Sequence, residues 1–382
     1  MFVASTRLFF FTFLLPIMGR SLVRAERPSA GCNKPPFGGG LENVTIVVDN
    51  EDRDFLLYMP STEVRGVPMP LVLNFHGTPS TAYLQYWYTE MDLAAEDKGY
   101  IVAFPQGVDE AFNAGGCCAD THNLDDEKFA RAIVDWIAAE SCVDLDQVFA
   151  TGWSNGGYMS FYLACKASDV FTAIAPVGGL IGIDPWDDCD PVNPPRVLMF
   201  HEVLDPDVDY CGAYPEYAGA EELVALFAEK QGCSPDKVGI SYQNGEVVCR
   251  SHLNCPPGKN ATLCTITKSI PSHSWPGAVS DYPSESGTQD IDGNEQIWSF
   301  FTQQEAQSDD NLVCDPAPAS DCPVGVYNEG TTCWTVREQG DAATSVPTEG
   351  LTMFDAATIG PNETLAPSEG SSSDVATMAP TE

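Results

Sequence analysis

Residues 147–164 read Gln147-Val-Phe-Ala-Thr-Gly152-Trp-Ser154-Asn-Gly156-Gly157-Tyr-Met-Ser-Phe-Tyr-Leu-Ala164. The apolar residues before Thr151 predict a short buried strand, and the residues after Gly157 have helical character. Gly152-Trp-Ser-Asn-Gly156 between them predicts a sharp strand-to-helix turn of the G-x-S-x-G form, in which a Cβ at either outer glycine would collide with neighbouring backbone. Ser154 is therefore expected at the apex of the turn, in front of helix amides that favour negative charge. A serine in an ordinary glycine turn is the alternative that this stretch alone leaves open.

The alternation of apolar strand and amphipathic helix extends outward from this turn in both directions. Strands are predicted at residues 44–48, 55–59, 71–75, 100–104, 148–150, 172–177, 196–200 and 263–267, the first two as an antiparallel hairpin. Helices are predicted at residues 91–98, 126–140, 158–166, 219–231 and 294–304. Strands that alternate with helices in this way indicate an α/β fold, with a mostly parallel central sheet that carries helices on both faces.

A serine that attacks an acyl group needs a base to accept its proton and a carboxylate to orient that base. The chain offers five histidines as candidates for the base: His76, His122, His201, His252 and His273. His273 follows the last predicted strand, where a doubly wound sheet of this type places its base. His76 and His201 stand at strand ends, where they could hold loops together.

The acid is expected in the loop that follows the strand at residues 196–200. Asp205 comes first in that loop, and Asp207 and Asp209 are expected to face solvent. The chain order Ser154, Asp205, His273, with each residue after a strand, is the order found in α/β-hydrolases. The sequence therefore predicts these three residues as the catalytic set.

The negative charge that develops on the substrate oxygen needs donors as well. We expect backbone amides to supply them, one from Asn155 directly after the serine and one from the turn His76-Gly77-Thr78, at Thr78. The proposed chemistry uses no metal and no organic cofactor.

Several motifs together resemble the secreted poly(3-hydroxybutyrate) depolymerase-like and feruloyl esterase family of α/β-hydrolases, over roughly residues 37–301. They are Leu73-Asn-Phe-His-Gly77, Asn113-Ala-Gly-Gly-Cys-Cys118, the Gly152–Gly157 turn, Ala175-Pro-Val-Gly178 and His273-Ser-Trp-Pro-Gly277. The resemblance implies that Ser154, Asp205 and His273 form the triad. It also implies an α/β-hydrolase fold. The even number of cysteines, 14, predicts that disulfides staple its loops.

The chain departs from this family in the loop that carries the acid. The family's His-Gly-Thr-x-Asp-x-x-Val-Pro-Tyr block stands here as His201-Glu-Val-Leu-Asp205-Pro-Asp-Val-Asp-Tyr210, so Glu202, Val203 and Asp209 break the pattern. Trp153 and Trp275 flank the predicted site and are candidates for stacking on an aromatic or sugar group of the substrate. Packing around the catalytic loops is the alternative for both.

The first 25 residues predict a secretory signal peptide, because an apolar block too short to span a bilayer is followed by small residues at Val23-Arg-Ala25. An uncleaved anchor is the alternative. The 14 cysteines, all after residue 25, and the glycosylation sequons at Asn43, Asn260 and Asn362 agree with an extracellular protein.

The domain boundaries follow from changes in composition. We expect a catalytic domain over residues 31–304, a cysteine-containing extension over 305–340 and a disordered acidic Ser/Thr/Pro-rich tail over 341–382. The extension holds three cysteines, so at least one of them should pair with the main domain or stay free. Cys117 and Cys118 are adjacent, and each is expected to pair elsewhere rather than with its neighbour.

The formal net charge of −37 excludes some partners. DNA and anionic membranes would be repelled, so neither nucleic acid nor membrane is expected as a partner. The expected substrate is an ester-bearing polysaccharide with feruloyl or acetyl groups. A polyhydroxyalkanoate polyester is the second candidate, and a hydrolase-fold binding protein without activity is the third. Nothing in the sequence predicts the oligomeric state.

Overall fold

A computed structural model of the chain describes residues 26–118, 124–212, 218–279, 287–302 and 313–314. All of these residues belong to the first of the chain's two compact units, Met1–Val336. The signal peptide predicted at 1–25, His122, Asn362, the tail at 341–382 and nearly all of the extension at 305–340 lie outside the described residues. None of the helices in the described ranges has the length and apolar character that a bilayer span requires.

The elements occur in the order β-hairpin, then alternating strands and helices, as the sequence predicts. The strands are β1 (Gly40–Val48), β2 (Glu51–Met59), β3 (Met69–Phe75), β4 (Ile101–Pro105), β5 (Val143–Trp153), β6 (Ala173–Val177), β7 (Arg196–Glu202), β8 (Ser234–Asn244), β9 (Val247–Leu253), β10 (Ala261–Ile266) and β11 (Val313–Cys314). The helices are α1 (Ala82–Thr89), α2 (Met91–Lys98), α3 (Asp126–Glu140), α4 (Asn155–Lys166), α5 (Ala220–Gln231) and α6 (Gly293–Thr302).

The strands form one mixed sheet in the order β1-β2-β4-β3-β5-β6-β7-β10-β9-β8-β11 across the described residues. The six central strands from β4 to β10 are parallel. Antiparallel strands flank them on both sides. A parallel connection has to cross the sheet, and helices form most of these crossovers; residues 178–195, between β6 and β7, form none. The carboxyl ends of β3, β5, β7 and β10 therefore meet along one edge of the sheet.

The helices cover both faces of the sheet, and each face has its own apolar core. Helices α3, α4 and α5 bury residues such as Phe129, Phe161 and Phe227 on one face. Helices α1, α2 and α6 bury residues such as Tyr88 and Phe301 on the other. Successive residues of β3 alternate between the two cores, because side chains of a strand point to opposite faces. The expectation of an α/β-hydrolase fold is confirmed.

Four of these strands and helices have no counterpart among the predicted ones: β8, β9, β11 and α1. Strands β8 and β9 form an antiparallel pair beside β10, in residues where the sequence analysis predicts no strand. The inner and outer residues of β9 alternate in burial, so it lacks the continuous apolar run of a central strand. Helix α1 begins after Thr81, whose hydroxyl caps the helix by accepting from Leu84 N at 3.2 Å.

Disulfide bonds staple the described loops, as expected of a cystine-rich α/β-hydrolase. Cys32–Cys142, Cys165–Cys189, Cys233–Cys255 and Cys249–Cys264 are the pairs that join distant residues. Cys117 and Cys118, by contrast, are bonded to each other. The expectation that each would pair elsewhere is wrong. The loop that holds them packs against buried Asn155, whose Nδ2 lies 3.8 Å from Cys117 Sγ.

Candidate active site

Strand β5 and helix α4 hold Ser154 in a conformation that few serines adopt. Its φ of 57° and ψ of −119° lie outside the regions that L-residues favour, so the surrounding structure has to maintain them. Ser154 N donates to Val177 O at 2.9 Å, while Ser154 O accepts from Gly157 N at 2.8 Å and Tyr158 N at 3.1 Å. The side chain is partly exposed at the start of α4.

Two glycines make this turn possible. A Cβ on Gly152 would stand 2.6 Å from the carbonyl of Gly156, and a Cβ on Gly156 would stand 2.1 Å from Phe75 O. Real Cβ atoms do not approach backbone so closely, so both positions require glycine. The turn is therefore packed against the end of β3, which also carries the loop with His76 and Gly77.

His273 and Asp205 meet at the same edge of the sheet. His273 Nδ1 lies 2.6 Å from Asp205 Oδ2, and both side chains are buried. Asp205 Oδ1 accepts from the backbone amides of Asp207 at 2.9 Å and Val208 at 2.8 Å. A short polar side chain often closes a turn in this way, and here it fixes the carboxylate before the imidazole binds it. Asp207 and Asp209 are exposed, as the sequence indicated.

The imidazole of His273 rests on Gly178 and beside Trp153. A Cβ at Gly178 would stand 2.8 Å from His273 Cε1, and the φ of Gly178 is +55°. The rings of Trp153 and His273 lie 5.0 Å apart between centroids. Because Trp153 directly precedes Ser154 in the chain, this contact brings the imidazole next to the elbow.

The second ring nitrogen of His273 is free to take a proton. Nε2 is buried and has no hydrogen-bond partner among the described residues. Since Nδ1 faces a carboxylate, the tautomer that suits this arrangement carries its proton on Nδ1 and leaves a lone pair on Nε2. Hydrogen bonds of catalytic groups are often completed only when substrate binds.

His76 and His201 hold loops together, as the sequence interpretation allowed. His76 Nε2 accepts from Gly107 N at 3.0 Å, and its Nδ1 donates to Gly77 O at 2.6 Å. Burial lowers the pKa of His76 to about 4, so the ring is neutral. His201 Nε2 donates to Val208 O at 2.9 Å, and complete burial lowers the pKa of His201 as well.

The hydrogen bond from His76 orients the peptide between Gly77 and Thr78. This peptide is trans, so its N–H points opposite to the carbonyl that faces His76. Thr78 N–H is thereby directed away from the imidazole of His76. Asn155 begins α4 and is held by Phe112, whose N donates to Asn155 Oδ1 at 2.7 Å and whose O accepts from Asn155 Nδ2 at 3.0 Å. The two amides predicted as oxyanion donors, those of Thr78 and Asn155, therefore lie in backbone that buried side chains hold in place.

The two tryptophans predicted to contact substrate are packing residues. Trp275 is 1% exposed and Trp153 is 8% exposed, and both belong to the core beneath α1, α2 and α6. Trp275 Nε1 donates to Asn294 Oδ1 at 3.2 Å, and Trp275 N donates to Tyr88 Oη at 2.8 Å. This burial supports the alternative given for both rings, packing around the loops of the site, and a stacking role stays a prediction.

The sequence interpretation gave no role to Tyr88 or Gly178. Tyr88 lies on α1, 5.6 Å from Trp153 between ring centroids, and it accepts the amide of Trp275 two residues after His273. Burial raises the pKa of Tyr88, so its hydroxyl stays protonated. Gly178 was quoted only as part of a motif. Its position directly after the strand at residues 172–177, which is next to the elbow strand, could have indicated a close approach to the site.

One cluster of potential metal ligands occurs among the described residues. Asp205, Asp207 and His273 each present one ligand atom, and these atoms lie within 4.8 Å of one another. The cluster includes the bonded Asp205–His273 pair, and Asp205 Oδ1 already accepts two backbone amides. The geometry is that of a histidine oriented by a carboxylate, beside a serine in an elbow.

Relatives of known activity match this chain at about 30% identity. Feruloyl esterase B of Piromyces equi is 30% identical over 228 residues, which cover 56% of this chain and 41% of that protein. Feruloyl esterase C of Emericella nidulans is 30% identical over 224 residues, which cover 56% of this chain and 75% of that protein. The chain therefore spans about two-fifths of the first relative and three-quarters of the second.

Two further comparisons concern the fold. Residues 124–209, which contain the elbow and Asp205, match the prolyl oligopeptidase family. The structure of acetyl xylan esterase from Aspergillus awamori superposes with a TM-score of 0.52 at 17% identity, covering 69% of this chain and 99% of that one. At this identity the likeness supports the fold alone. Together with the Emericella nidulans match, these findings show that the chain belongs to the feruloyl esterase family of α/β-hydrolases and is a serine carboxylic ester hydrolase.

Proposed function

We propose that this protein is a secreted esterase that cleaves feruloyl or acetyl esters of polysaccharide, with Ser154, His273 and Asp205 as its triad. The observation that carries the proposal is the 2.6 Å contact between His273 Nδ1 and Asp205 Oδ2, beside a serine in a strained elbow. The feruloyl esterase relatives support this substrate class, and the acetyl xylan esterase neighbour supports the fold that carries it.

The reaction begins when Ser154 Oγ attacks the ester carbonyl and His273 Nε2 accepts the proton of the hydroxyl. Asp205 holds the proton of His273 on Nδ1 and stabilises the imidazolium that forms. The imidazolium then gives its proton to the leaving alcohol, and an acyl group remains on Ser154. Water, activated by the same imidazole, releases the carboxylic acid and restores the serine.

The backbone amides of Thr78 and Asn155 are proposed to bind the oxyanion in both halves of the reaction. Each such donor contributes about 3 kcal/mol to transition-state stabilisation. Support comes from the fixed orientation of each: the His76 hydrogen bond directs the Gly77–Thr78 peptide, and Phe112 holds Asn155.

A fluorophosphonate that labels reactive serines tests the triad. The wild-type protein should be labelled at Ser154, and Ser154→Ala should show no label and no hydrolysis of p-nitrophenyl acetate. His273→Ala should lose about 10³-fold or more in kcat, because the base that accepts the serine proton is removed. Wild-type labelling at a different serine, or full activity of Ser154→Ala, would refute the assignment.

Comparison of three substrates tests the chemical class of the ester. Methyl ferulate and acetylated xylan should release acid, while polyhydroxybutyrate should release hydroxybutyrate far more slowly. Faster release from polyhydroxybutyrate would replace the polysaccharide-ester proposal with polyester depolymerisation. Secretion is tested separately by expressing the full chain in a fungal host and sequencing the N-terminus of protein in the medium, which should begin after Ala25.

A further inference from the structure

The loop that carries His273 is held by side chains on either side of the imidazole. Ser272 and Ser274 flank His273, and all three residues are buried. Ser272 donates its hydroxyl to Glu202 Oε2, and Ser274 donates its hydroxyl to Glu202 Oε1 at 2.5 Å. One carboxylate therefore accepts from both neighbours of the histidine, with a different oxygen for each.

Glu202 also contacts the loop that carries the acid. It is the last residue of β7, and its backbone oxygen accepts from Asp205 N at 3.2 Å. Its register partner on β10 is Ile266, seven residues before His273. The same residue thus holds the aspartate loop with its backbone and the histidine loop with its side chain.

The arrangement coincides with a departure from the resembled family. Glu202 replaces the glycine of the resembled family's block, and the serines before and after His273 supply the donors that its carboxylate requires. Glu202 is 4% exposed, and burying a carboxylate costs free energy unless hydrogen bonds compensate it. Hydrogen bonds to an ionised acceptor are shorter and stronger than neutral ones, which suits a clamp on a loop.

We propose that Glu202 is a positioning residue, which fixes the imidazole of His273 relative to Asp205 and Ser154 through Ser272 and Ser274. This inference rests on the proposed function, since it presumes that His273 is the base. Glu202 acts through the two serines and does not touch the substrate. Its loss should therefore lower kcat and leave KM almost unchanged.

The test uses two replacements at the same position. Glu202→Met keeps the length of the side chain and removes both acceptors. Glu202→Gln keeps the shape and can still bond both serines, because its oxygen accepts from one hydroxyl and its amide donates to the other. Displacement of a catalytic group by about 1 Å can cost 100-fold. We expect Glu202→Met to lose about 10-fold to 100-fold in kcat on p-nitrophenyl acetate, with KM within about twofold of wild type, and Glu202→Gln to recover most of the loss.

Ser251→Ala is the matched control. Ser251 is 4% exposed on β9, and it bonds the hydroxyls of Ser241 at 2.9 Å and Thr262 at 2.7 Å. Its loss removes buried serine hydrogen bonds away from the site, so stability should fall and kcat should stay within about twofold of wild type. Ser272→Ala with Ser274→Ala removes the same two bonds from the donor side and should reproduce the kinetic defect of Glu202→Met. This pair supplies the measurement if Glu202→Met does not fold.

The outcomes separate the clamp from its alternatives. If folded Glu202→Met, or the double serine variant, retains wild-type kcat, the clamp is refuted. If Glu202→Gln is as defective as Glu202→Met, the charge of Glu202 matters instead of its hydrogen bonds, and positioning through the serines is overturned. If hydrolysis by the wild-type protein does not depend on Ser154, the proposed function itself is refuted. If the wild-type protein is active and Glu202→Met has the same kcat, the positioning role of Glu202 is refuted while the proposed function stands.

Discussion

Replacing Gly178 with alanine would place a methyl group directly beneath the imidazole of His273. The ideal Cβ stands 2.8 Å from His273 Cε1, 3.0 Å from Nδ1 and 3.5 Å from Asp205 Oδ2. Ordinary van der Waals contact begins at 3.4 Å, so the ring has to move by about 0.6 Å. That movement stretches the contact with Asp205 and displaces Nε2 from the proton that it accepts.

The expected effect on catalysis follows from this displacement. A misplacement approaching 1 Å can cost 100-fold, so Gly178→Ala should lower kcat about 10-fold to 100-fold with little change in KM. The backbone contributes separately, because a φ of +55° costs an alanine roughly 1 kcal/mol, which lowers the melting temperature by a few degrees. Steady-state hydrolysis of p-nitrophenyl acetate and thermal unfolding measure the two effects.

Gly99→Ala isolates the backbone effect from the clash. Gly99 ends α2 with a φ of +77°, and the nearest atom to its ideal Cβ is Thr62 Oγ1 at an ordinary 3.5 Å. This variant should lose similar stability and keep wild-type kcat. If Gly178→Ala keeps wild-type kcat while both variants lose the same stability, the imidazole does not rest on Gly178 and the argument fails.

Three further predictions concern stability. His76 has a pKa of about 4 in the folded protein and an ordinary pKa of 6.5 in the unfolded chain, so between these pH values only the unfolded chain binds the proton. The free energy of unfolding should therefore fall by about 3 kcal/mol from this residue as the pH is lowered from 6.5 toward 4. His76→Gln should lack this part of the slope in urea unfolding across that range, and an unchanged slope would contradict the assignment. The buried guanidinium of Arg53 lies 2.5 Å from Asp126 Oδ1. Asp126→Asn removes the partner charge of Arg53 and should lower the free energy of unfolding by about 3–5 kcal/mol. A decrease of less than about 1 kcal/mol would show that water solvates the pair. The disulfide between Cys32 and Cys142 spans 110 residues and restricts the unfolded chain. Replacing both cysteines with alanine should lower the free energy of unfolding by about 2–5 kcal/mol, and an unchanged free energy of unfolding would contradict this stabilisation.

The elbow could be predicted from the sequence because its causes are local. A strand, a glycine on each side of a serine and a following helix are properties of about 18 consecutive residues, and steric limits on the backbone leave few conformations for them. The same applies to the helix at Asp126–Glu140, whose apolar spacing gave its bounds directly. Alternation of such elements was enough to predict the α/β fold.

Pairings between distant residues were less accessible. Strands β8 and β9 lie at the side of the sheet with alternating burial, so their sequence lacks the apolar run that made the central strands recognisable. The burial of Trp275 depends on Tyr88 and Asn294, which come from two helices that meet only in the folded chain.

The sequence by itself determined the class of fold, the serine elbow and the chain order of the candidate catalytic residues, since these depend on backbone sterics and on the periodicity of apolar residues. Only the tertiary structure decided which side chains hold the site. The hydrogen bonds between Glu202 and the serines at 272 and 274 join residues about 70 positions apart in the chain. The contact between Gly178 and the imidazole of His273 joins residues about 95 positions apart. Such contacts are set by which strands are neighbours in the sheet and by where each strand ends, and neither property is encoded in any short stretch of the chain.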